Sequence, residues 1–313
     1  MRPSQRLIQV VLGVIWLVDG ILQFQPYMFT KSFATDVLAG VGQGQPAFVG
    51  HPVVSMAQFL TPHIAIWNAI FATIQVLIGV GLLFRKTVKP TLMASFAWVI
   101  VVWWFGEAFG QMLNGMGTLI SGAPGAVLLY GLIGVLAWPT GRTLEVSASA
   151  SGPLGDFGGR VVWAAVWLVD AALQFLPMNS AKGALSSAIT AGASGEPSLL
   201  ASISNHVGNA IHGHGPVAAV LLGIVEVAIG LGVFSRRPNA ALMAGAALAL
   251  VVWVVGQDLG GILTGQGTDP NAGPLYILLA LTCYRWPEAV KARVPFRAQQ
   301  RVPDSPVDRL AGI

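Results

Sequence analysis

Apolar residues gather into eight runs, at 8–25, 61–84, 91–113, 123–138, 161–176, 214–234, 240–262 and 273–287. A helix needs about 20 apolar residues to cross a bilayer, and most of these runs approach that length. The pattern therefore predicts an all-α integral membrane protein with eight transmembrane helices. Pro26 and Pro177 close the first and fifth runs, because proline brings no amide hydrogen to a helical ladder. Trp138-Pro139 and Trp286-Pro287 close the fourth and eighth, with tryptophan suited to the membrane interface.

The runs form two sets of four. Residues 16–26 read WLVDGILQFQP and residues 167–177 read WLVDAALQFLP. Residues 101–118 read VVWWFGEAFGQMLNGMGT, and 251–268 read VVWVVGQDLGGILTGQGT. The spacing between copies holds throughout, so the chain is a tandem duplication of one membrane unit. Its expected parts are a first four-helix repeat (1–138), a cytoplasmic linker (139–160), a second repeat (161–287) and a basic cytoplasmic tail (288–313). An even number of helices per copy makes the two repeats parallel.

Composition agrees: 54% of residues are hydrophobic and 10% charged, against about 25% charged in soluble domains. Arg2, Arg6, Arg85, Lys86, Lys89, Arg142, Arg160, Arg236, Arg237, Arg285 and the tail cations fall on one side of the predicted topology, and Lys31 and Lys182 on the other. Positive loops face the cytoplasm, so both termini are expected there, with the chain multi-pass in the plasma membrane. The first run ends in Gln-Phe-Gln-Pro rather than in a small-residue cleavage site, so no cleavable signal peptide is expected. The net charge of +4 then reflects orientation and needs no nucleic-acid partner. Membrane lipid is the expected contact; the tail cations suit anionic headgroups, but the tail's composition favours a solvated, disordered end. The lone Cys283 excludes an intramolecular disulfide and a CxxC pair.

The candidate chemistry lies in polar residues inside the apolar runs, which are costly in lipid and mark function by default. Trp16, Asp19 and Gln23 share one helical face, as do Trp167, Asp170 and Gln174. Gln75 and Glu226 occupy matching places on the second helix of each copy, with His63 and His214 at its outer end. Glu107 lies late on the third helix, where the other copy has Gln257 followed by Asp258. All of these belong to the outer half of the membrane, so a site should open outward. Asp19, Asp170, Glu107 and Glu226 are the candidate catalytic acids. Trp16, Gln23, Trp167, Gln174, His63 and His214 are the candidate cofactor-binding groups. Structural locking by hydrogen bonds is the competing account of the acids. His206, His212 and His214 cluster, but no His-x-x-Glu-His pattern or equivalent appears, and no metal site is expected.

Two further expectations follow. Gly106 and Gly110, repeated as Gly256 and Gly260, have the spacing that lets helices approach closely and would turn Glu107 into the bundle. The long external loops 27–60 and 178–213 have the length of lids or binding loops. Within the first, TKSFATDVLAG is expected to form a short helix capped by Thr30 or Ser32, with Phe33, Val37 and Leu38 toward the membrane.

Each four-helix unit resembles a DoxX-like module, through Gly20-Ile21-Leu22-Gln23-Phe24 on the first helix and Glu226-Val227-Ala228-Ile229-Gly230-Leu231-Gly232 on the sixth. The resemblance spans most of both copies. Gln23 and Gln174 stand where that family usually has lysine, Ala171 replaces the glycine found at Gly20, and Gln75 stands where the other copy has Glu226. The family includes a membrane subunit of a thiosulfate:quinone oxidoreductase, so the resemblance implies a quinone cofactor and a redox protein partner. The residues leave three readings open: a quinone-linked oxidoreductase subunit, a proton- or cation-coupled transporter, and a non-catalytic accessory that binds lipid or another membrane protein.

Overall fold

In the computed structural model, which describes residues 4–142 and 146–286, the chain is all-helical, with no strand among the described residues. The basic tail 288–313 lies outside them. The α-helices are α1 (Gln5–Leu22), α2 (Ala47–Leu60), α3 (Ile64–Leu82), α4 (Val88–Phe105), α5 (Ala126–Leu136), α6 (Gly155–Gln174), α7 (Ala184–Gly192), α8 (Ser198–Ala210), α9 (Gly215–Gly232), α10 (Pro238–Val255) and α11 (Ala272–Cys283).

Five helical stretches are long and apolar enough to cross a membrane: α1, the stretch Ala47–Leu82, α4, α9 and α10. Their outer faces carry exposed apolar side chains such as Ile21, Ile66, Leu77, Ile100, Leu221 and Val251. That is the surface a lipid-facing helix requires. α6 has the length, but it carries Asp156, Arg160 and Asp170 and is less apolar. α5 and α11 are short, at 11 and 12 residues, and most of their side chains are buried against neighbouring helices.

The tightest packing is between α1 and α3, and it is made possible by missing side chains. A Cβ on Gly79 would sit 2.8 Å from the Gly13 carbonyl oxygen, and one on Gly20 would sit 2.9 Å from the Val76 nitrogen. α6 and α9 pack likewise, with Gly230 against Ala164 and Trp167. α5 and α11 lie against each other and against α1 and α6, joining the two halves in one apolar core around Trp16, Tyr130, Trp167 and Tyr276.

Arg6 donates to the carbonyls of Leu82 and Leu83 at 2.9 and 2.5 Å, closing the C-terminus of α3. Gln5 and Gln9 donate to the carbonyls of Trp138 and Ala137 at 2.9 and 2.8 Å, just beyond α5. The start of α1 and the ends of α3 and α5 thus share one end of the bundle.

Three expectations need correction. The third runs do not continue as helix through 113 and 262. α4 stops at Phe105 and α10 at Val255, and the chain turns through left-handed residues that include Gly110 (φ +64°) and Gly260 (φ +79°). These glycines therefore serve a turn and not a helix–helix seam, because a Cβ on Gly110 would lie 2.5 Å from Pro124 backbone.

The segment 27–60, expected as an external loop, is also largely helical, and α2 runs almost directly into α3 through the turn Thr61–His63. Within it, Phe33–Leu38 forms a short π-helical stretch, with the Thr30 hydroxyl accepting from Phe33 N–H at 3.4 Å. Phe33 is buried and packs with Met28, Leu60 and Ile64, and Val37 and Leu38 pack beside it. This apolar face turns inward, because the hollow between α1, α3 and α4 offers it more apolar surface than the rim does.

Candidate functional site

The inward-turned segment roofs a cavity of about 360 Å³. α3 supplies Trp67 and Phe71 to its walls, α4 supplies Trp98 and Phe105, and α2 contributes Val53 and Met56 from above. Trp16, Asp19 and Gln23 on α1, Gln75 on α3, Tyr130 on α5 and Glu107 form its polar part. Thr268 and Asp269, from the loop ahead of α11, complete the lining. An aromatic chamber with a few convergent polar groups is the usual form of a small-molecule site.

Asp19 sits on the buried face of α1 beside Trp16, whose ring centre is 4.3 Å from that of Tyr130. Tyr130 Oη donates to Asp19 Oδ2 at 2.5 Å, while Asp19 Oδ1 has no partner. Glu107 follows the end of α4 and reaches the start of α5, where its Oε1 accepts from Val127 N–H at 2.9 Å. A carboxylate there satisfies one of the free amides of a helix N-terminus. Gly125 (φ +115°) makes room for it, since a Cβ at that position would collide with Glu107 Oε2. That second oxygen has no hydrogen-bond partner.

Other cavity-lining polar atoms are also buried without partners: Trp16 Nε1, Trp98 Nε1, Gln23 Oε1 and Gln75 Oε1. Buried polar groups are ordinarily satisfied, so the unpartnered donors and acceptors on this chamber are what a bound polar head would engage, although Trp167 Nε1, Asp170 Oδ1 and Glu226 Oε2 are unpartnered outside it too. Asp269 is held more firmly. It accepts from the Thr268 hydroxyl at 2.8 Å and from Asn271 N–H at 2.7 Å. Burial nevertheless raises its carboxyl above the usual aspartate range, against those two hydrogen bonds.

The second half makes matching contacts without the same lining. Tyr276 Oη bonds Asp170 Oδ2 and lies 3.2 Å from the Ala123 carbonyl oxygen. Gln174 Nε2 donates to Glu226 Oε1 at 3.1 Å, and Trp167 packs 5.0 Å from Tyr276 between ring centres. Gln257 takes the role of Glu107, accepting from Gly273 N–H at 3.0 Å and donating to the Leu119 carbonyl at 2.8 Å. Asp258 accepts from the Ser204 hydroxyl at 2.5 Å.

Of the residues singled out from sequence, Trp16, Asp19, Gln23 and Glu107 come together on the cavity. Trp167, Asp170, Gln174 and Glu226 form a separate buried group. His63 and His214 are exposed and do not line the cavity. Sequence reasoning missed Tyr130, Tyr276 and Asp269. The tyrosines carried a signal, because Ala-x-x-Leu-Tyr occurs at both 126–130 and 272–276. Asp269 carried none, since its match before the repeated proline is Ala123. No family model, curated protein or solved structure matches the chain.

Proposed function

We propose that this is a multi-pass plasma-membrane protein of DoxX-like type, built as two parallel four-helix repeats. Its eight apolar helices would run with both termini cytoplasmic and with the cavity opening outward. In this reading α5, α6 and α11 complete the two sets of four, their short or polar lengths sheltered by the longer helices. The grouping of Arg6 with the end of α3 beside Arg85 supports the orientation, since cations gather on the cytoplasmic side.

We further propose that the cavity binds a quinone and that the protein acts as a quinone-linked subunit or accessory of a redox protein. The observation that carries this is the pairing of unpartnered donors, Trp16 Nε1 and Trp98 Nε1, with unpartnered acceptors, Asp19 Oδ1 and Glu107 Oε2, in one aromatic chamber. Quinone carbonyls accept hydrogen bonds and quinol hydroxyls donate them, so the set serves both forms. A quinone that takes two electrons from the partner takes two protons, and Asp19 and Glu107 are placed to supply them. Quenching of tryptophan fluorescence by a decyl-substituted benzoquinone tests the reading. Saturable quenching, weakened in Asp19→Asn and Glu107→Gln, supports it; no saturable quenching rejects it.

A transporter reading has its own support. Asp19, Glu107 and Asp269 line the chamber with no lysine, arginine or histidine among the lining residues, an arrangement suited to a proton or other cation. Uptake that fails in Asp19→Asn, with expression unchanged, would favour it over the redox reading. The accessory reading would be favoured by tolerance of Asp19→Asn and Glu226→Gln.

A further inference from the structure

The two halves keep the same carboxyl–tyrosine pair, with a tryptophan packed on the tyrosine in each, but differ in the walls around it. Matching the repeats through their common residues sets Trp67 against Ala218, Phe71 against Leu222, Trp98 against Leu248 and Phe105 against Val255. Four cavity-lining aromatic residues are thus replaced by smaller, aliphatic ones, while Trp16 and Tyr130 keep their counterparts Trp167 and Tyr276. Two of the acids go as well: Glu107 is matched by Gln257 and Asp269 by Ala123.

The last pair is informative because it crosses between halves. Trp103 Nε1 donates to the Pro124 carbonyl at 2.8 Å, and Trp253 Nε1 donates to the Pro270 carbonyl at 2.6 Å, so the two proline turns are equivalent. The residue before Pro124 reaches the second half, where the Ala123 carbonyl meets Tyr276. The residue before Pro270 reaches the first half, where Asp269 lines the cavity. Its loop is tied there by Gln25 Nε2, which donates to the Gly267 carbonyl at 3.2 Å.

Glu107 and Asp269 are partly exposed, whereas Asp19, Asp170 and Glu226 are buried. Asp269 lines the same chamber as Asp19 and Glu107.

We infer that the protein has one ligand site, in the first half, and that Asp269 is a ligand-contacting residue lent to it by the second half. Asp170 and Glu226 are then structural acids, each bonded through one oxygen by a neighbour from its own half, with the other oxygen buried away from the cavity. A single site also explains why duplication was followed by divergence: the second unit supplies a wall and one acid to this chamber, while the space of about 380 Å³ beside Gln257 and Asp258 has no aromatic residue in its lining. This inference rests on the cavity being a ligand site, as proposed above, but not on the ligand being a quinone.

A lipid-soluble carbodiimide separates the two claims. It adds to a protonated carboxyl: the carboxyl oxygen bonds the central carbon, the proton passes to a carbodiimide nitrogen, and the adduct rearranges to a stable N-acylurea without a leaving group. The whole protein in mild detergent, treated at mildly acidic pH and mapped by peptide mass spectrometry, is expected to carry adduct on Asp269 and on Asp19 or Glu107. No adduct is expected on Asp170 or Glu226. Asp269→Asn should lose the Asp269 adduct while keeping one on Asp19 or Glu107, which shows that the variant is folded. Adduct on Asp170 or Glu226, on none of these acids, or on Asp19 or Glu107 without Asp269 would overturn the inference. Excess decyl-substituted benzoquinone should suppress the adducts on Asp269, Asp19 and Glu107. Failure to suppress them, with the asymmetry intact, would reject the quinone and leave the single site standing.

Discussion

Tyr130 donates a 2.5 Å hydrogen bond to Asp19 Oδ2 and leaves Oδ1 of the same carboxyl without a partner. Half of the acid is thus fixed by the protein and half remains free to bond a ligand. Removing the fixed half should cost stability. Tyr130→Phe is expected to destabilise the protein by about 1–3 kcal/mol, the usual cost of stranding a buried polar group. Tyr276→Phe should cost a similar amount through Asp170. The two should differ in quinone binding, weakened in Tyr130→Phe and unchanged in Tyr276→Phe, as read by thermal denaturation and fluorescence titration of both variants.

α1 and α3, which both line the chamber, approach each other closely. A Cβ on Gly79 would lie 2.6 Å from Leu17 Cγ and 2.8 Å from the Gly13 carbonyl oxygen, so the helices must part to admit one. Gly79→Val is expected to destabilise the protein by at least the ~1–3 kcal/mol typical of overpacking. Gly40→Ala, where nothing lies within 4 Å of the new atom, should leave the melting temperature nearly unchanged.

Asp269 gives stability a pH dependence of definite sign. Its carboxyl is raised above the ordinary range in the folded protein, chiefly by burial. The folded state therefore holds the proton more tightly than the unfolded chain does. Stability from this group should be greatest below the ordinary aspartate value of about 4 and should fall as pH rises through the raised value. Asp269→Asn should flatten that fall in a series of melting curves. A slope that is unchanged, or that rises with pH through the Asp269 contribution, would count against the burial argument.

The histidines offer a negative control. His63 and His214 are exposed and outside the cavity, so His63→Ala and His214→Ala should leave quinone titrations at wild-type affinity. A loss of affinity in either would mean that the site extends to the start of α3 or α9.

The helical class, the apolar stretches and the face shared by Trp16, Asp19 and Gln23 were all legible in the sequence, because helical periodicity and the cost of polar groups in apolar runs are local properties. Local reading failed where the chain reverses. Gly110 and Gly260 have the spacing of a helix-packing pair, and their left-handed role is set by the Pro124 and Pro270 backbone pressed against them. Phe33, Val37 and Leu38 form an apolar face on the segment between α1 and α2, and nothing in that segment says whether lipid or a hollow between helices will cover it. Asp269 was hidden most completely. Its relation to Asp19 spans the two repeats and exists only once α5 and α11 pack together.

The most direct test of the central claim, that the first-half cavity is a quinone site, is native mass spectrometry of the protein released from mild detergent. Wild type and Asp170→Asn should each retain one molecule of quinone mass, and Asp19→Asn and Glu107→Gln should retain less or none. A bare wild-type mass reproduced after gentle handling, or equal retention by the cavity variants, would contradict it.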